Sequence, residues 1–338
     1  MSDEHTTSPQ PAAQPAPRAD EQEAPTKVIF VGVGGATCSG KTTLAKHLRR
    51  ILPNSVIIHQ DDFAPPMEEV PLHLVHGVQD WDSAPGAISW ARMVTFLRHV
   101  KETGVIPPDH RSHDHLNEQQ VVPVPDELAD KWRAHFQALQ QKLEVETKEK
   151  IIWGLVDGFL LYWNHDVVDQ LDVKFFLRVP HDALKKRRHD RHGYHTAGER
   201  SCLFLGVFFA VYKNPPLLSC SRITKLYTQS HIHPALNVRT ALPSSLTAIP
   251  LLNELQIDLL EGALWRDPPQ YWENIVYPAY VEAHRHLFVD GDVEHGKLTS
   301  GADKLVLLEI LEMTMGNAVE KCCSVLDGAL GKLHPTAD

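Results

Sequence analysis

Residues 35 to 42 read Gly35-Ala36-Thr37-Cys38-Ser39-Gly40-Lys41-Thr42, an unbroken G-x-x-x-x-G-K-[ST] phosphate-binding loop. The chemistry is that of a polyphosphate cradle. Backbone N–H groups of Thr37 through Thr42 point at phosphate oxygens, Lys41 reaches the β- and γ-phosphates, and the Thr42 hydroxyl ligates Mg²⁺. The flanks suit this reading. Val28-Ile29-Phe30-Val31 is an apolar, β-rich run before the loop, and Thr43-Leu44-Ala45-Lys46-His47-Leu48 continues it as a helix whose N-terminus favours anions. A dinucleotide fingerprint through Gly32, Gly34 and Gly35 is a weaker rival, because it leaves the Lys-Thr pair without a purpose.

Three further groups could act on a phosphate held there. Asp61 and Asp62 follow a short strand, where parallel sheets place ligands; a phosphoryl acceptor hydroxyl needs such a carboxylate to take its proton and help hold the metal. A solvated acidic turn is the alternative, and position favours Asp61 as the base. Asp157 ends an apolar strand before Gly158, the place of a carboxylate that reaches Mg²⁺ directly or through water; an ordinary turn aspartate is the alternative. Lys185 to Arg191 is a basic helical run. Arg187, Arg188 and Arg191 cannot all point one way, so some reach phosphate oxygens as a lid while another faces the acceptor. Asp80-Trp81-Asp82 sets an aromatic face between acids, which suits a flat cationic ring as well as an ordinary core tryptophan. His110, His113 and His115 lie in a polar loop with no supporting cysteines and read as surface histidines.

The elements that must position these residues are those of an α/β fold. Strands over 28–33, 55–59, 150–156 and 173–179 alternate with helices over 42–51, 88–100, 126–145 and 181–192, which implies a parallel sheet flanked by helices on both faces. Helices over 270–286 and 303–326 complete the chain. Trp132, Phe136, Leu139 and Leu143 mark the buried stripe of the 126–145 helix. Residues 1–26, rich in Pro, Ala, Gln and Thr, read as a disordered tail before a P-loop domain over 27–338. The domain is interrupted at 198–260 by a segment rich in Leu, Ser and Pro with no clean period. Its ends, Gly198-Glu199-Arg200 and Leu260-Glu261, admit splice-site-like codons, and removing its 63 residues keeps the frame, so we read it as a retained intron, with a genuine lineage-specific loop as the alternative.

Composition narrows the function classes. The 338 residues carry a formal charge of −10, which argues against a broad nucleic-acid surface. The five cysteines have no paired spacing, as expected in a reducing compartment. There is no signal-peptide pattern and no apolar run of membrane-spanning length, so cytoplasm, with access to the nucleus, is the expected location.

The chain resembles the nicotinamide riboside kinases, within the wider uridine-kinase-like P-loop kinases. The resemblance lies in Gly34 to Lys46, Leu52-Pro53-Asn54, His59-Gln60-Asp61-Asp62-Phe63, Trp81-Asp82, Asp157-Gly158-Phe159-Leu160-Leu161, Lys186-Arg187-Arg188 with Arg191, and Tyr277-Pro278-Ala279-Tyr280. It implies a nucleoside-kinase-like P-loop fold with a lid, ATP and Mg²⁺ as cofactors, and transfer of the γ-phosphoryl group to the 5′-hydroxyl of nicotinamide riboside. It further implies Asp61 as proton acceptor and metal ligand with Thr42, and Lys41 and Asp157 as catalytic partners. ATP would be held by Gly35 through Thr43 with Arg187 and Arg191. The substrate would be held by Asp61, Asp62, Phe63, Trp81, Asp82 and Arg188. Nicotinic acid riboside is a further substrate in that frame. Gly193-Tyr194 is shifted by one residue from the family's lid tyrosine, and Asp157 stands where the family often has Glu. A uridine/cytidine or other small-metabolite kinase of the same fold, and an inactive nucleotide binder produced by the 198–260 segment, are the alternatives.

Overall fold

The structure, a computed structural model, describes residues 25–117, 119–191, 194–195, 264–302 and 304–333. Of the tail expected over residues 1–26, residues 1–24 lie outside the described residues, as does the anomalous segment 198–260, while Thr26 already belongs to the first strand.

Strand β1 (Thr26–Gly35) is buried along almost its whole length, so it must be covered on both faces, and it forms the centre of the sheet. It leads through the phosphate loop into helix α1 (Lys41–Ile51), then strand β2 (Ser55–His59). A short helical turn α2 (Ala84–Ala87), helix α3 (Trp90–Thr103) and the long helix α4 (Asp126–Thr147) precede strand β3 (Lys150–Gly158). The turn α5 (His165–Val168), strand β4 (Val173–Arg178) and helix α6 (His181–Asp190) follow. A two-residue antiparallel ladder joins β5 (Tyr194–His195) to β6 (Leu264–Trp265), with Tyr194 opposite Trp265. Helix α7 (Tyr277–His284), strand β7 (Leu305–Glu309) and helix α8 (Met315–Leu333) end the described chain.

The main sheet is parallel, with order β2-β3-β1-β4-β7. Helices α1, α4 and α8 cover one face through Leu44, Leu48, Trp132, Phe136, Leu143, Val319 and Leu326; Leu139 packs at the margin, so the expected stripe of α4 is the buried one. Helices α3 and α7 cover the other face through Met93, Leu97, Val100, Tyr280 and Ala283. This is the α/β P-loop kinase fold expected from the sequence.

Two C-terminal expectations are corrected. The helix expected over 303–326 is a strand and a helix. Leu305-Val306-Leu307-Leu308 pairs with β4 as an edge strand, and Arg178 clasps Glu309 at its end through Nε at 3.0 and 3.1 Å. A short apolar run does not separate strand from helix by its period, and the sheet decides. Helix α8 starts only after Thr314, whose Oγ1 accepts the Asn317 N–H at 3.1 Å. The helix expected over 270–286 is broken into a π-helical turn (Trp272–Val276), α7 and a 3₁₀ turn (Arg285–Leu287). Pro278 in the first turn of α7 has no N–H to donate backwards, and the wider turn absorbs the missing bond.

Candidate active site

Parallel sheets present ligands at the C-terminal ends of their strands, and here three neighbouring strands end on the same chemistry. Register places Val33 of β1 and His59 of β2 on either side of Asp157 of β3. The phosphate loop, the His59–Phe63 turn and Asp157 are therefore brought together by strand pairing alone.

The loop is shaped by its backbone. Gly35 has φ +136°, and a Cβ there would lie 2.4 Å from the Leu177 carbonyl oxygen; Gly40 has φ +99° and Cys38 φ +61°. Those left-handed residues turn the chain so that α1 begins at Lys41. Lys41 is buried, and its Nζ donates to the Ala36 carbonyl at 2.8 Å across the loop. Burial lowers the Lys41 pKa, while Asp157 and Asp61 oppose that and favour its charge. Thr43 sits in the first turn of α1 beside Thr42.

Thr42 Oγ1 donates to Asp157 Oδ2 at 2.5 Å, and His59 Nδ1 lies 3.2 Å from the same oxygen. Burial opposes the Asp157 charge, but the bonds from His59 and Thr42 and the charge of Lys41 hold its pKa below the ordinary carboxylate value. Burial alone would discharge His59; the Asp157 bond and charge, with Asp114 and Asp62 behind it, push its pKa up to about 9. Asp114 Oδ2 stands 4.0 Å from His59 Nε2 and 2.6 Å from Lys46 Nζ. A charged chain thus runs Lys46–Asp114–His59–Asp157–Thr42. The other Asp157 oxygen, Oδ1, is buried with no hydrogen-bond partner among the described residues.

Asp61 opens the 3₁₀ turn Gln60–Phe63. The crowding of the cleft and the neighbouring Asp157 raise its pKa to about 6, although water still reaches its side chain and tempers that rise. The turn is fixed from behind. Gln60 Oε1 accepts the Leu160 N–H at 2.8 Å, in the space left by Gly158, where a Cβ would lie 2.6 Å from that oxygen. Arg92 donates to the Asp62 and Ala64 carbonyls, each at 3.0 Å.

Asp62 and Phe63 are turned away from the cleft. Asp62 Oδ1 accepts the His113 N–H at 3.0 Å, and the His113 and His110 rings lie 3.5 and 3.7 Å from its carboxylate. The Phe63 ring packs on Phe96 and His110 in the core. His110 and His113 are correspondingly only 12% and 14% exposed, which corrects their reading as surface histidines: their imidazoles face a buried carboxylate and an aromatic wall. No cluster of three His, Cys, Asp or Glu side chains that could hold a metal ion occurs among the described residues.

Across the cleft, α6 stands over the phosphate loop. Arg187 NH1 donates to the Cys38 carbonyl at 3.2 Å, and Arg188 NH1 to Thr37 Oγ1 at 3.3 Å. Arg191 is close enough to Lys41 to lower its pKa. Arg188 is buried and makes a bidentate pair with Asp267, Nε and NH2 each at 2.8 Å, while Asp82 lies 3.9 Å from NH1. Burial raises the Asp82 pKa, and Arg188 opposes the rise. Trp81, Trp265 and Tyr271 form one aromatic wall, with centroids 6.1 and 5.5 Å apart. The Tyr271 hydroxyl accepts the Trp81 N–H at 3.2 Å, and Trp265 Nε1 donates to Asp267 Oδ1 at 3.1 Å. A small pocket beside the loop is lined by Ala36, Thr37, Asp82, Phe159, Leu160, Trp272, Val276 and Tyr280.

No motif or spacing in the sequence assigns a role to His59, Asp114, Asp267, Trp265 or Tyr271. His59 carried a signal, its place beside the acidic pair at a strand end. Asp267 is separated from Arg188 by the anomalous segment, and its spacing carried none.

A cradle for phosphates, a carboxylate for a proton and an unsatisfied carboxylate oxygen beside a threonine hydroxyl make the donor set of a metal-dependent phosphotransferase. No family model matches the chain. It is 29% identical over 274 residues to a nicotinamide riboside kinase of Schizosaccharomyces pombe, covering 80% of this chain and 85% of that protein. It is 25% identical over 269 residues to the Saccharomyces cerevisiae nicotinamide riboside kinase, covering 79% and 82%. With mouse nicotinamide riboside kinase 2 the identity is 32% over 163 residues, 48% of this chain and 68% of that protein.

Proposed function

This chain belongs to the nicotinamide riboside kinase family, and on that premise we propose that it phosphorylates the 5′-hydroxyl of nicotinamide riboside at the expense of ATP, yielding nicotinamide mononucleotide for NAD salvage. The observation that carries this reading is the register that sets Asp157 between the ends of β1 and β2, beside Thr42 and within the field of Lys41 and Asp61.

Gly35 to Thr43 would cradle the phosphates of ATP, and Arg187 from α6 with Arg191 just past its end would meet them. Thr42, Asp61 and the unpartnered Oδ1 of Asp157 suit Mg²⁺ and its water shell, since hard cations take oxygen ligands. Bound there, the metal supplies charge neutralisation for the phosphate oxygens. Asp61 takes the proton of the riboside hydroxyl, since it lies in the turn that follows β2 beside the phosphate loop. Trp81, Asp82 and Arg188 hold the riboside, and the Gln60–Phe63 turn carries Asp61 to it. Nicotinic acid riboside is accepted at the same site. Among the described residues no helix is long and apolar enough to cross a membrane, and we place the enzyme in the cytoplasm with access to the nucleus.

The test is ATP- and Mg²⁺-dependent conversion of nicotinamide riboside by the full chain, with uridine as control. Conversion of the pyridine riboside in preference to uridine is expected. Preference for uridine, or no conversion by folded protein, would remove this substrate.

A further inference from the structure

The Arg188 guanidinium is shared unequally between two carboxylates. Asp267 takes its Nε and NH2 edge in two 2.8 Å bonds, and Asp82 remains 3.9 Å from NH1. All three side chains are largely withdrawn from water, at 6% exposure for Arg188, 8% for Asp82 and 18% for Asp267. Asp80, whose Oδ1 accepts the Asp82 and Ser83 N–H groups at 3.1 and 2.8 Å, is a third buried carboxylate beside them, so negative groups outnumber the guanidinium in this corner. Trp265 holds Asp267 in place, and Trp265, Trp81 and Tyr271 supply flat apolar faces beside it.

We infer that Asp267 is the positioning residue that sets the charge preference of the acceptor pocket, keeping Arg188 off Asp82 so that a cationic pyridinium riboside is preferred over one whose ring also carries a carboxylate. This rests on the pyridine-riboside reading above. Removing the Asp267 charge acts twice in the same direction. It makes the corner less negative, and it leaves the guanidinium, whose NH1 also donates to Thr37 Oγ1 at 3.3 Å, free to draw closer to Asp82. Both weaken the attraction for a cation and relax the repulsion of an anion. A unit charge several ångströms from a ligand in a partly wet pocket is worth on the order of tenfold in binding.

The consequence concerns selectivity, which a simple packing defect does not change. Asp267→Asn keeps the shape and one acceptor for Trp265 and Arg188; Asp267→Glu keeps the charge. The measurement is kcat/KM for nicotinamide riboside and for nicotinic acid riboside, at saturating ATP and Mg²⁺ and low ionic strength, in the wild type and both variants. We expect the ratio favouring nicotinamide riboside to fall on the order of tenfold in Asp267→Asn, mainly through KM, and to stay near the wild-type value in Asp267→Glu even where the rate drops. Should Asp267→Asn fail to fold, Asp267→Ser is the second neutral variant. Equal rate losses for both ribosides in the neutral variants, with the ratio unchanged, would overturn the inference. A wild type that phosphorylates neither riboside would instead overturn the substrate reading, so the two failures are distinct.

Discussion

A methyl group at Gly34 would be driven into Tyr162. An added Cβ lies 2.3 Å from Tyr162 Cε2, 2.9 Å from Cδ2 and 3.0 Å from Cζ. Carbon atoms rest at about 3.5 Å or more, so the ring must retreat by about 1.2 Å. It has nowhere to go, since it is buried and its hydroxyl is engaged at 2.7 Å with the Phe175 carbonyl and at 3.1 Å with that of Gly32. Overpacking costs about 1–3 kcal/mol, and losing the hydroxyl bond adds about 1 kcal/mol, so Gly34→Ala should destabilise the protein by roughly 3 kcal/mol. Urea unfolding of a two-by-two set, Gly34→Ala with and without Tyr162→Leu, separates this clash from a generic strand effect. In the Tyr162→Leu background the space is open, and the cost of Gly34→Ala should fall below about 1 kcal/mol, a coupling of about 2 kcal/mol. An equal cost in both backgrounds would refute the idea that Tyr162 is what forbids a side chain at the entrance to the phosphate loop.

Other expectations follow from the same geometry. Asp61→Ala should abolish turnover while ATP affinity, measured by calorimetry, stays largely intact; unchanged turnover would remove Asp61 from the base role. The folded pKa of His59, about 9, lies above its ordinary 6.5, so the stability it contributes is fully present below about pH 6.5 and is lost as pH rises through 9. That loss is on the order of 3 kcal/mol, and His59→Gln should flatten the decline in the urea midpoint between pH 6 and 9.5; parallel profiles for variant and wild type would count against the Asp157 pairing. Deleting residues 198–260 leaves Thr196-Ala197-Glu261-Gly262-Ala263 between His195 and Leu264, a loop length that antiparallel two-strand ladders accept. The shortened protein should phosphorylate nicotinamide riboside at least as well as the full chain, and loss of activity with retained folding would show that the segment belongs to the enzyme.

What was legible in the sequence was local. The phosphate loop, Asp61 and Asp157 each sit at the end of an apolar strand, and a parallel sheet brings strand ends together without further information. Phe63 and Asp62 were legible as part of the same turn, but their direction was not. Whether a side chain on a tight turn faces the cleft or the core depends on Phe96, His110 and His113, which arrive from distant segments. The C-terminal strand was hidden because Leu305 to Leu308 is apolar at every position, and β4 alone gives it a partner. Asp267 was invisible because its meaning is its pairing with Arg188, a relation between two chain segments that no periodicity records.

The short ladder Tyr194–Trp265 and His195–Leu264 acts as a port in the enzyme's wall. Its two strands pair only with each other and not with the five-stranded main sheet. Two residues beyond the ladder, Asp267 makes its bidentate pair with Arg188. The ladder therefore sets where the chain returns from residue 195 to the Arg188 pairing, two residues past Trp265.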